Sequence, residues 1–238
     1  MTILAIVQAR MTSSRLPGKV LMDIEGMPMI GRQLERIKES ERIDEIVVAT
    51  SVDTSDDELV AYIKSLGVNV QRGPLEDVLG RFIQVLDNYD FATVVRLTAD
   101  CPLADPNVID STIEMFSETD YDYVSNGIER TFPRGLDVEV FKQKVIRKVA
   151  ESDYRAMARE HVTYGIYTRP DLYTTGNYSQ SPSFANLRWT VDTAEDLAFV
   201  RSVYKYFAPI HKIFHQDQVL KWLEENPKFA YFDIDDEA

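Results

Sequence analysis

The chain has 238 residues, a length sufficient for one domain with a full hydrophobic core, and its composition is that of an ordinary globular protein. It carries 26 Lys and Arg against 39 Asp and Glu, and the resulting net charge of −13 counts against general binding of nucleic acid or anionic membranes, which requires basic surface. The single cysteine, Cys101, excludes an intramolecular disulfide and a cysteine-based zinc cluster.

The first predicted element is a strand over residues 3–9, a nearly continuous apolar run typical of a strand buried on both faces. This run is too short for a signal peptide or a membrane span, and we therefore expect a cytoplasmic protein. The elements predicted next alternate in type: a helix from residue 28, a strand over 46–49, a helix over 56–66, a strand over 68–70, a helix over 76–86, a strand over 93–97 and a helix over 107–116. Such alternation is typical of a parallel sheet covered by helices on both faces.

The second half of the chain is less regular. Short helices are mixed there with strands predicted over 123–125, 138–141, 164–168 and 189–191, and helices are predicted from residue 194 and near 217–225. We expect a single domain over residues 1–238, with a doubly wound, mostly parallel α/β sheet and an insertion at about 125–185. Ligands of such sheets bind beyond the carboxyl ends of the strands. The acidic residues 233–237 are expected to form a solvated end without chemistry.

The loop after the first strand reverses the charge of the chain locally. Residues 1–22 contain no carboxylate, whereas Arg10, Arg15 and Lys19 are cations. Ser14 and Gly18 belong to a set of small residues that allow the backbone to approach a ligand and to offer N–H donors. The combination suits an anion with several phosphates, and the alternative is a solvated loop whose cations pair with surface carboxylates. Neither the dinucleotide-binding pattern nor the P-loop pattern of glycines occurs in the chain.

Two aspartates follow predicted strands: Asp100 after the strand at 93–97, and Asp192 after the one at 189–191. Taken singly, Asp100 could be a turn residue and Asp192 a cap of the following helix. As a pair beside a cationic loop, they offer the hard oxygen ligands that Mg²⁺ combines with water and phosphate oxygens. The pair therefore predicts a site for Mg²⁺ and a triphosphate.

Four segments carry a resemblance to a known family: Gln8-Ala-Arg10, Ser14-Arg-Leu-Pro-Gly-Lys19, Asp100-Cys-Pro102 and Val191-Asp-Thr-Ala-Glu-Asp-Leu197. In order and spacing they resemble the cytidylyltransferases that activate 3-deoxy-2-keto sugar acids, a family that includes CMP-KDO and CMP-sialic acid synthetases. The motifs are most similar to the branch that serves spore coat polysaccharide biosynthesis. The resemblance implies a nucleotide-diphosphosugar-transferase-like (Rossmann-like) fold, CTP and a 2-keto sugar acid as substrates, Mg²⁺ as cofactor, and a homodimer built through the inserted segment.

The resemblance also implies roles for single residues. Arg10, Arg15 and Lys19 match the residues that grip the triphosphate, and Asp100 and Asp192 match the two metal-binding aspartates. In the implied reaction the anomeric hydroxyl of the sugar acid attacks the α-phosphorus of CTP and pyrophosphate leaves. Catalysis is then expected to rest on Arg15 and Lys19, which neutralise the leaving group, and on the two aspartates.

Further positions match segments that approach the substrates in this family. The additional candidates for the nucleotide are Ala9, Ser14, Arg72, Asp77 and Arg81, and those for the sugar are Arg134, Asp137, Glu160 and His161. Arg134 is the expected partner of the substrate carboxylate. His161 departs from the family pattern, because it stands four residues before Gly165-Ile-Tyr167 instead of two. The identity of the sugar is therefore open.

Two other functions remain open at this point. One is a glycosyltransferase of the same fold, which would use a nucleotide-sugar donor and a metal bound by an Asp-x-Asp pair. Asp120-Tyr-Asp122 matches that bare pattern but follows a predicted helix instead of a core strand. The other is a non-catalytic protein that binds nucleotides or takes part in an assembly.

Overall fold

The computed structural model describes residues 2–229, and in that range seven strands form a single sheet. The strands are β1 (Ile3–Gln8), β2 (Glu45–Ser51), β3 (Asn69–Gly73), β4 (Thr93–Thr98), β5 (Tyr123–Ser125), β6 (Glu139–Lys142) and β7 (Thr175–Asn177). Their order across the sheet is β3-β2-β1-β4-β6-β5-β7. Neighbours are parallel except where β6 pairs with β4 and β5. The predicted mostly parallel sheet is confirmed.

Helices connect the strands in the order expected of an α/β fold. They are α1 (Met29–Ile37), α2 (Asp57–Ser65), α3 (Val78–Asn88), α4 (Pro106–Glu118), α5 (Gln143–Ser152), α6 (Ala156–Glu160), α7 (Tyr164–Tyr167), α8 (Ala194–Phe207) and α9 (Gln216–Glu225). Asp77 caps α3 and Asp105 caps α4, each by accepting a hydrogen bond from a backbone N–H of the first turn. Over residues 2–229 none of these helices is both long and apolar enough to cross a membrane.

Both faces of the sheet are covered by hydrophobic side chains. Successive residues of β1 alternate between two buried clusters: Val7 belongs to one with residues of α1, α2, α4 and α8, and Ile6 to the other with residues of α3 and α5. This alternation explains why β1 is an unbroken apolar run in the sequence. The doubly wound arrangement predicted from the sequence is therefore present.

The winding of the sheet reverses at β1. From β1 the chain moves outward to β2 and β3, and then crosses back to β4 on the other side of β1. The carboxyl ends of β1 and β4 lie side by side, with Gln8 opposite Thr98. A crevice beyond the strand ends at such a reversal is where open α/β sheets bind ligands.

Two predicted strands are wrong. Residues 164–167 form α7, because their alternate apolar residues occupy one helical turn, in which Ile166 N–H donates to the carbonyl of Thr163. The sheet edge beside β5 is taken by β7 instead. Residues 189–191 cross the end of β4 without joining the sheet and bend at Thr190, and an isolated bridge between Arg134 and Arg188 precedes them. The acidic residues 233–237 lie outside the described part of the chain.

Candidate active site

A cleft of about 300 Å³ opens at the carboxyl ends of β1 and β4, where the winding reverses. It brings together most of the residues that the sequence predicted for the phosphates and the metal, although Arg10 and Asp192 lie 182 positions apart. Those lining it are Gln8, Ala9, Arg10, Ser13, Ser14, Arg15, Lys19, Val20, Thr98, Ala99, Asp100, His161 and Asp192. Hereafter this is called the first cleft.

The loop after β1 is anchored to β2 by a carboxylate that the sequence did not single out. Asp56 is fully buried, and its Oδ1 accepts a hydrogen bond of 2.7 Å from the N–H of Met11. Its Oδ2 accepts from the hydroxyl of Thr50 at 2.8 Å and from the backbone N–H of Ser51 at 3.0 Å. The loop closes where Gly18, at φ +74°, donates to the carbonyl of Met11, a conformation that favours glycine. The loop thus has a fixed course over the end of the sheet.

Lys19 is buried at the centre of the first cleft. Its Nζ donates to the carbonyl of Val191 at 2.7 Å and to Asp192 Oδ1 at 2.9 Å, and it lies 3.5 Å from Asp100 Oδ2. One ammonium therefore contacts both of the predicted metal-binding carboxylates. Lys19 belongs to the site and not to a solvated surface loop, which the sequence had left as the alternative.

Asp192 is surrounded by three cations. Besides Lys19, Arg15 Nη2 lies 2.9 Å from its Oδ1, and Arg188 Nη2 lies 2.9 Å from its Oδ2. Burial by itself raises the pKa of Asp192, but the hydrogen bond and charge of Lys19, with the charges of Arg15 and Arg188, hold the pKa below its usual value. Asp192 is therefore a carboxylate anion at neutral pH.

The interpretation of Asp192 as a helix cap is wrong, because Thr193 and Asp196 cap α8. Thr193 caps α8, and its hydroxyl accepts from the N–H of Asp196 at 3.2 Å. Asp196 returns the contact by accepting from the N–H groups of Asp192 and Thr193, each at 2.8 Å, which completes a capping box. Arg188 Nε then donates to Asp196 Oδ1 at 3.1 Å. One guanidinium thus joins the buried cap to the carboxylate in the cleft.

Residues 189–192 cross the end of β4 and bring Asp192 close to Asp100. The carbonyl of Asp100 accepts from the N–H of Val191 at 2.8 Å and from the hydroxyl of Thr190 at 3.3 Å. Gly135 makes this crossing possible, since a Cβ at that position would lie 2.5 Å from the backbone nitrogen of Thr190. The backbone therefore holds the two aspartates at a set spacing.

The donor set of the first cleft suits a hard divalent cation. Asp100 and Asp192 present carboxylate oxygens on either side of one ammonium, and Asp100 also accepts from the hydroxyl of Thr98 at 2.6 Å. Over residues 2–229 no group of three or more His, Cys, Asp and Glu converges to form an all-protein cage. Two carboxylates with open positions are typical of Mg²⁺ bound together with phosphate oxygens.

The other nucleotide candidates do not line the first cleft and lie instead in β3 and at the start of α3. Arg72 is held by the carbonyls of Ser51 and Asp53, both at 2.8 Å, and by Asp57 at 2.7 Å. Asp77 caps α3 and pairs with Arg159. Arg81, in the first turns of α3, is buried.

A second cleft, of about 260 Å³, lies beside the first at the ends of β5 and β6. Its lining includes Tyr123, Ser125, Gly127, Ile128, Arg130, Asp137, Glu139 and Tyr167. Arg130 pairs with Asp137 at 2.5 Å. Arg96 joins the two clefts, because it donates to Gln8 Oε1 at 3.1 Å and pairs with Glu139. Two adjacent polar clefts provide room for two substrates.

The structure distributes the four sugar candidates over these surroundings. Asp137 lines the second cleft and His161 the first. Glu160 lies 3.7 Å from Arg10. The backbone of Arg134 donates to the carbonyl of Leu187 at 2.9 Å and accepts from Trp189, beside the crossing segment. The assignment of these residues to the sugar stays a prediction.

The Asp-x-Asp pattern at residues 120–122 has a structural role. Lys142 Nζ lies 2.9 Å from Asp120 Oδ1 and 3.2 Å from Asp122 Oδ1. Asp122 also accepts from the N–H and hydroxyl of Thr174, which ties the start of β5 to β7. Asp120 and Asp122 therefore do not support the glycosyltransferase alternative, which required an Asp-x-Asp pair that binds a metal.

Comparison with known proteins agrees with this geometry. The sequence model of a protein family described as cytidylyltransferase matches residues 4–221, which is most of the chain. A cytidylyltransferase structure from Leptospira borgpetersenii is similar to this fold with a TM-score of 0.92, at 30% identity and with 97% of each chain covered.

Two curated relatives have names that state a role. The spore coat polysaccharide biosynthesis protein SpsF of Bacillus subtilis is 33% identical over 216 residues, which cover 85% of this chain and 86% of that protein. The 3-deoxy-manno-octulosonate cytidylyltransferase 2 of Hydrogenovibrio crunogenus is 30% identical over 190 residues, covering 76% of this chain and 75% of that protein. The resemblance of the sequence motifs is thus confirmed at the level of the family.

Proposed function

This chain belongs to the cytidylyltransferase family, and we propose that it transfers CMP from CTP to the anomeric hydroxyl of a 2-keto sugar acid and releases pyrophosphate. The CMP-sugar formed would serve the synthesis of a surface or spore-coat polysaccharide, as the name of the Bacillus subtilis relative suggests. CTP-dependent formation of a CMP-sugar is what the family supports, and the sugar acid and the pathway are proposals.

One observation carries this proposal: Asp100, Asp192 and Lys19 meet in one cleft next to the cationic loop. The reaction needs positive charge where the triphosphate binds and oxygen ligands where its counter-ion binds. A phosphoryl transfer of this kind is accelerated mainly by positioning and electrostatic stabilisation, so no protein nucleophile is required. The first cleft supplies both kinds of charge within a few ångströms.

The cations of the loop act on the triphosphate. Arg15 and Lys19 contact Asp192 in the structure, and phosphate oxygens can replace that carboxylate as their partner. Lys19 is buried and its stem is held, so its charge is available without much loss of side-chain entropy. As the α–β phosphate bond breaks, Arg15 and Lys19 neutralise the charge that develops on pyrophosphate.

The carboxylates are the proposed holders of Mg²⁺. Asp100 and Asp192 fit it, because both are hard oxygen ligands and open positions remain for phosphate oxygens and water. When bound, the ion supplies positive charge that screens the phosphates and lowers the pKa of the attacking hydroxyl. Arg188 donates a hydrogen bond to one oxygen of Asp192. The backbone hydrogen bond from Val191 to Asp100 sets the spacing of Asp100 and Asp192.

The second cleft is the proposed site of the sugar acid. It lies next to the first on the β5–β6 side, and its tyrosines, Ser125 and Asp137 can hydrogen-bond hydroxyl groups. Arg130, which lines this cleft, and Arg134, which the sequence predicted, are the arginines proposed to approach the substrate carboxylate. His161, the remaining candidate for the sugar, lines the first cleft.

A homodimer built through residues 125–185 is also proposed. Three hydrophobic side chains of that segment, Tyr154, Met157 and Leu172, are at least half exposed in the single chain. An exposed apolar patch that is contiguous is typical of a contact surface, and these side chains are the ones proposed to form it. Sedimentation of the purified chain would measure its oligomeric state, and a monomer at micromolar concentration would contradict the proposal.

The test of the function is pyrophosphate release from CTP and Mg²⁺ with a panel of 2-keto sugar acids. We expect release with at least one acid and a loss of about 100-fold in turnover on Lys19→Gln, in the range of removing one transition-state donor. Lys212→Gln is the matched control, since Lys212 is an exposed cation paired with Glu39 at 2.8 Å. No release with any acid, together with hydrolysis of a nucleotide sugar or transfer from it, would show that the proposed function is wrong.

A further inference from the structure

His161 presents an imidazole without a partner to the first cleft. The residue lines that cleft and is exposed, and within residues 2–229 neither of its ring nitrogens has a hydrogen-bond or ion-pair partner. His215 differs in this respect, since its Nδ1 lies 3.0 Å from Asp105 Oδ1. The ring of His161 is therefore available to a bound molecule.

The backbone beside His161 is strained. The next residue, Val162, is fully buried and has a φ of +41°, a value that a β-branched side chain rarely adopts. Such a conformation persists where the surroundings enforce it, and it is typical of functional sites. Hydrogen bonds on both sides enforce it here, because the N–H of His161 donates to the carbonyl of Met157 at 2.8 Å and the hydroxyl of Thr163 donates to Glu139. The fold therefore fixes the place of His161.

The segment that carries His161 borders both clefts. His161 lines the first cleft, whereas Tyr167, six positions further along the same segment, lines the second. Between them, Thr163 donates to Glu139 in the wall of the second cleft. The proposed reaction joins an atom of one substrate to an atom of the other, so a group that acts on this step must stand where the two sites adjoin. The segment of His161 meets this condition.

The attacking hydroxyl must lose a proton, and the other charged groups of the first cleft are poorly suited to take it. Arg15 and Lys19 are cations that only donate. The oxygens of Asp192 contact three cations, and those of Asp100 accept from the hydroxyl of Thr98 and lie near Lys19. The same two carboxylates are the proposed holders of Mg²⁺. An imidazole, by contrast, ordinarily changes its charge between about pH 5 and 8, which suits a base that works at neutral pH.

The residues that line the second cleft offer no better acceptor. Its two carboxylates are paired, Asp137 with Arg130 and Glu139 with Arg96. Burial raises the pKa of both of its tyrosines, which therefore keep their protons. The imidazole in the first cleft is thus the best acceptor among the residues that line the two clefts.

We propose that His161 is a catalytic residue that takes the proton of the anomeric hydroxyl as this hydroxyl attacks. The inference rests on the proposed function, and it gives His161 a different role from the sugar binding predicted by the sequence. In the step, the hydroxyl oxygen bonds to the α-phosphorus while the bond from that phosphorus to the β-phosphate oxygen breaks, and its electron pair leaves on pyrophosphate. The proton passes to a ring nitrogen of His161 and from there to solvent, to which the side chain is exposed.

The pH dependence of the rate can isolate the imidazole from its surroundings. Charged groups near His161 come from the loop after β1, the first cleft, α6 and the start of α3: Arg10, Arg15, Lys19, Asp100, Asp192, Arg159, Glu160 and Asp77. Arginine, lysine and carboxylate side chains ordinarily titrate outside the range of about pH 5 to 8. Phosphate groups titrate within it, but they are common to the parent and a variant, so the ratio of the two rates cancels their contribution.

The experiment measures single-turnover rates of pyrophosphate release for the parent and His161→Gln, with saturating CTP, Mg²⁺ and the sugar acid that the parent uses. At about pH 8 we expect the variant to be about 100-fold slower, within the range of a general base. At low pH the imidazole of the parent is protonated and accepts no proton, so the ratio of the two rates should fall at least about tenfold between pH 8 and pH 5. The dissociation constant for CTP should stay within about threefold of the parent value. His211→Gln is the matched control with a ratio near one at every pH, because His211 is exposed and lines neither cleft.

A ratio that stays constant over this pH range would show that the substitution acts only on the structure, and it would overturn the inference. A variant as fast as the parent at pH 8 would do the same. If His161→Gln does not fold, His161→Asn decides by the same ratio. Failure of the proposed function is distinguishable from these outcomes, because the parent itself would then release no pyrophosphate with any acid, and the inference would fall with it.

Discussion

Replacement of Arg188 by methionine tests whether the buried ion-pair network around Asp192 holds the fold as well as the site. Arg188 donates to Asp192 Oδ2 at 2.9 Å and to Asp196 Oδ1 at 3.1 Å. The three side chains are 16%, 12% and 0% exposed, so solvent screens these contacts little. Methionine fills the space of the aliphatic stem but leaves one oxygen of each carboxylate without this partner.

The expected loss of stability follows from that count of contacts. A hydrogen bond to a charged group contributes about 1.5–3 kcal/mol, so two of them give about 3–6 kcal/mol. Asp192 keeps Lys19 and Arg15, and Asp196 keeps two backbone N–H groups, which places the loss near the lower end, at about 3 kcal/mol. For a domain of this size that lowers the melting temperature by about 6–12 °C.

Thermal unfolding of the parent, Arg188→Met and a control measures this effect. Arg201→Met is the control, since Arg201 lies on the exposed side of α8 and donates from Nε to the carbonyl of Asp23. It should shift the melting temperature by no more than about 2 °C. Equal shifts in the two variants would refute the reasoning, because the buried pairs would then contribute no more than a surface contact.

Three further predictions concern the same site. Asp100→Asn and Asp192→Asn should each lower turnover by at least about 100-fold in a pyrophosphate-release assay, while circular dichroism shows an intact fold. If a variant kept near-normal turnover with Mg²⁺, its residue would not be a metal ligand. Because the pKa of Asp192 is lowered in the folded chain, its ionisation stabilises the fold fully above its ordinary value of 3.8 and progressively less below it. The difference in unfolding free energy between the parent and Asp192→Asn should therefore shrink as the pH falls below 3.8, and a constant difference would contradict the assignment. Asp56→Ala should lower the free energy of unfolding, measured in urea, by about 2–4 kcal/mol, because the N–H groups of Met11 and Ser51 lose their acceptor. It should also weaken CTP binding. Unchanged binding would mean that Asp56 does not shape the loop after β1.

Much of the site could be predicted because its residues stand at recognisable points of the chain. Lys19 follows the first strand, and Asp100 follows the fourth, so the rule that ligands bind at the carboxyl ends of parallel strands places them together. Asp192 is predicted as a site residue because it follows a strand predicted over 189–191, and that strand is absent from the sheet. The position was correct for a different reason, since residues 189–191 cross the end of β4 and Val191 donates a hydrogen bond to the carbonyl of Asp100.

The supporting residues could not be predicted in the same way. Asp56 anchors a loop 45 positions away, and Arg96 joins β1 to β6, so their partners exist only after the sheet has formed. Arg188 carries a weak local signal, because it stands four residues before Asp192. Nothing in the sequence shows that the backbone between them, which is not helical, brings the two side chains together. Residues 164–167 were misjudged because one helical turn and a short strand have the same apolar spacing.

The contacts of Lys19 have a consequence for how affinity in the first cleft should be understood. In the resting chain the cations and carboxylates of the cleft neutralise one another, so an incoming triphosphate exchanges partners and does not meet vacant charges. Phosphates that draw Arg15 and Lys19 away leave Asp100 and Asp192 with Arg188 as the remaining cation on Asp192. A divalent cation that binds the two carboxylates leaves Arg15 and Lys19 without these partners. The triphosphate and the divalent cation each supply the charge that the other leaves unpaired in the cleft. Measured separately, both should bind weakly, and their joint binding should exceed what the two single affinities suggest.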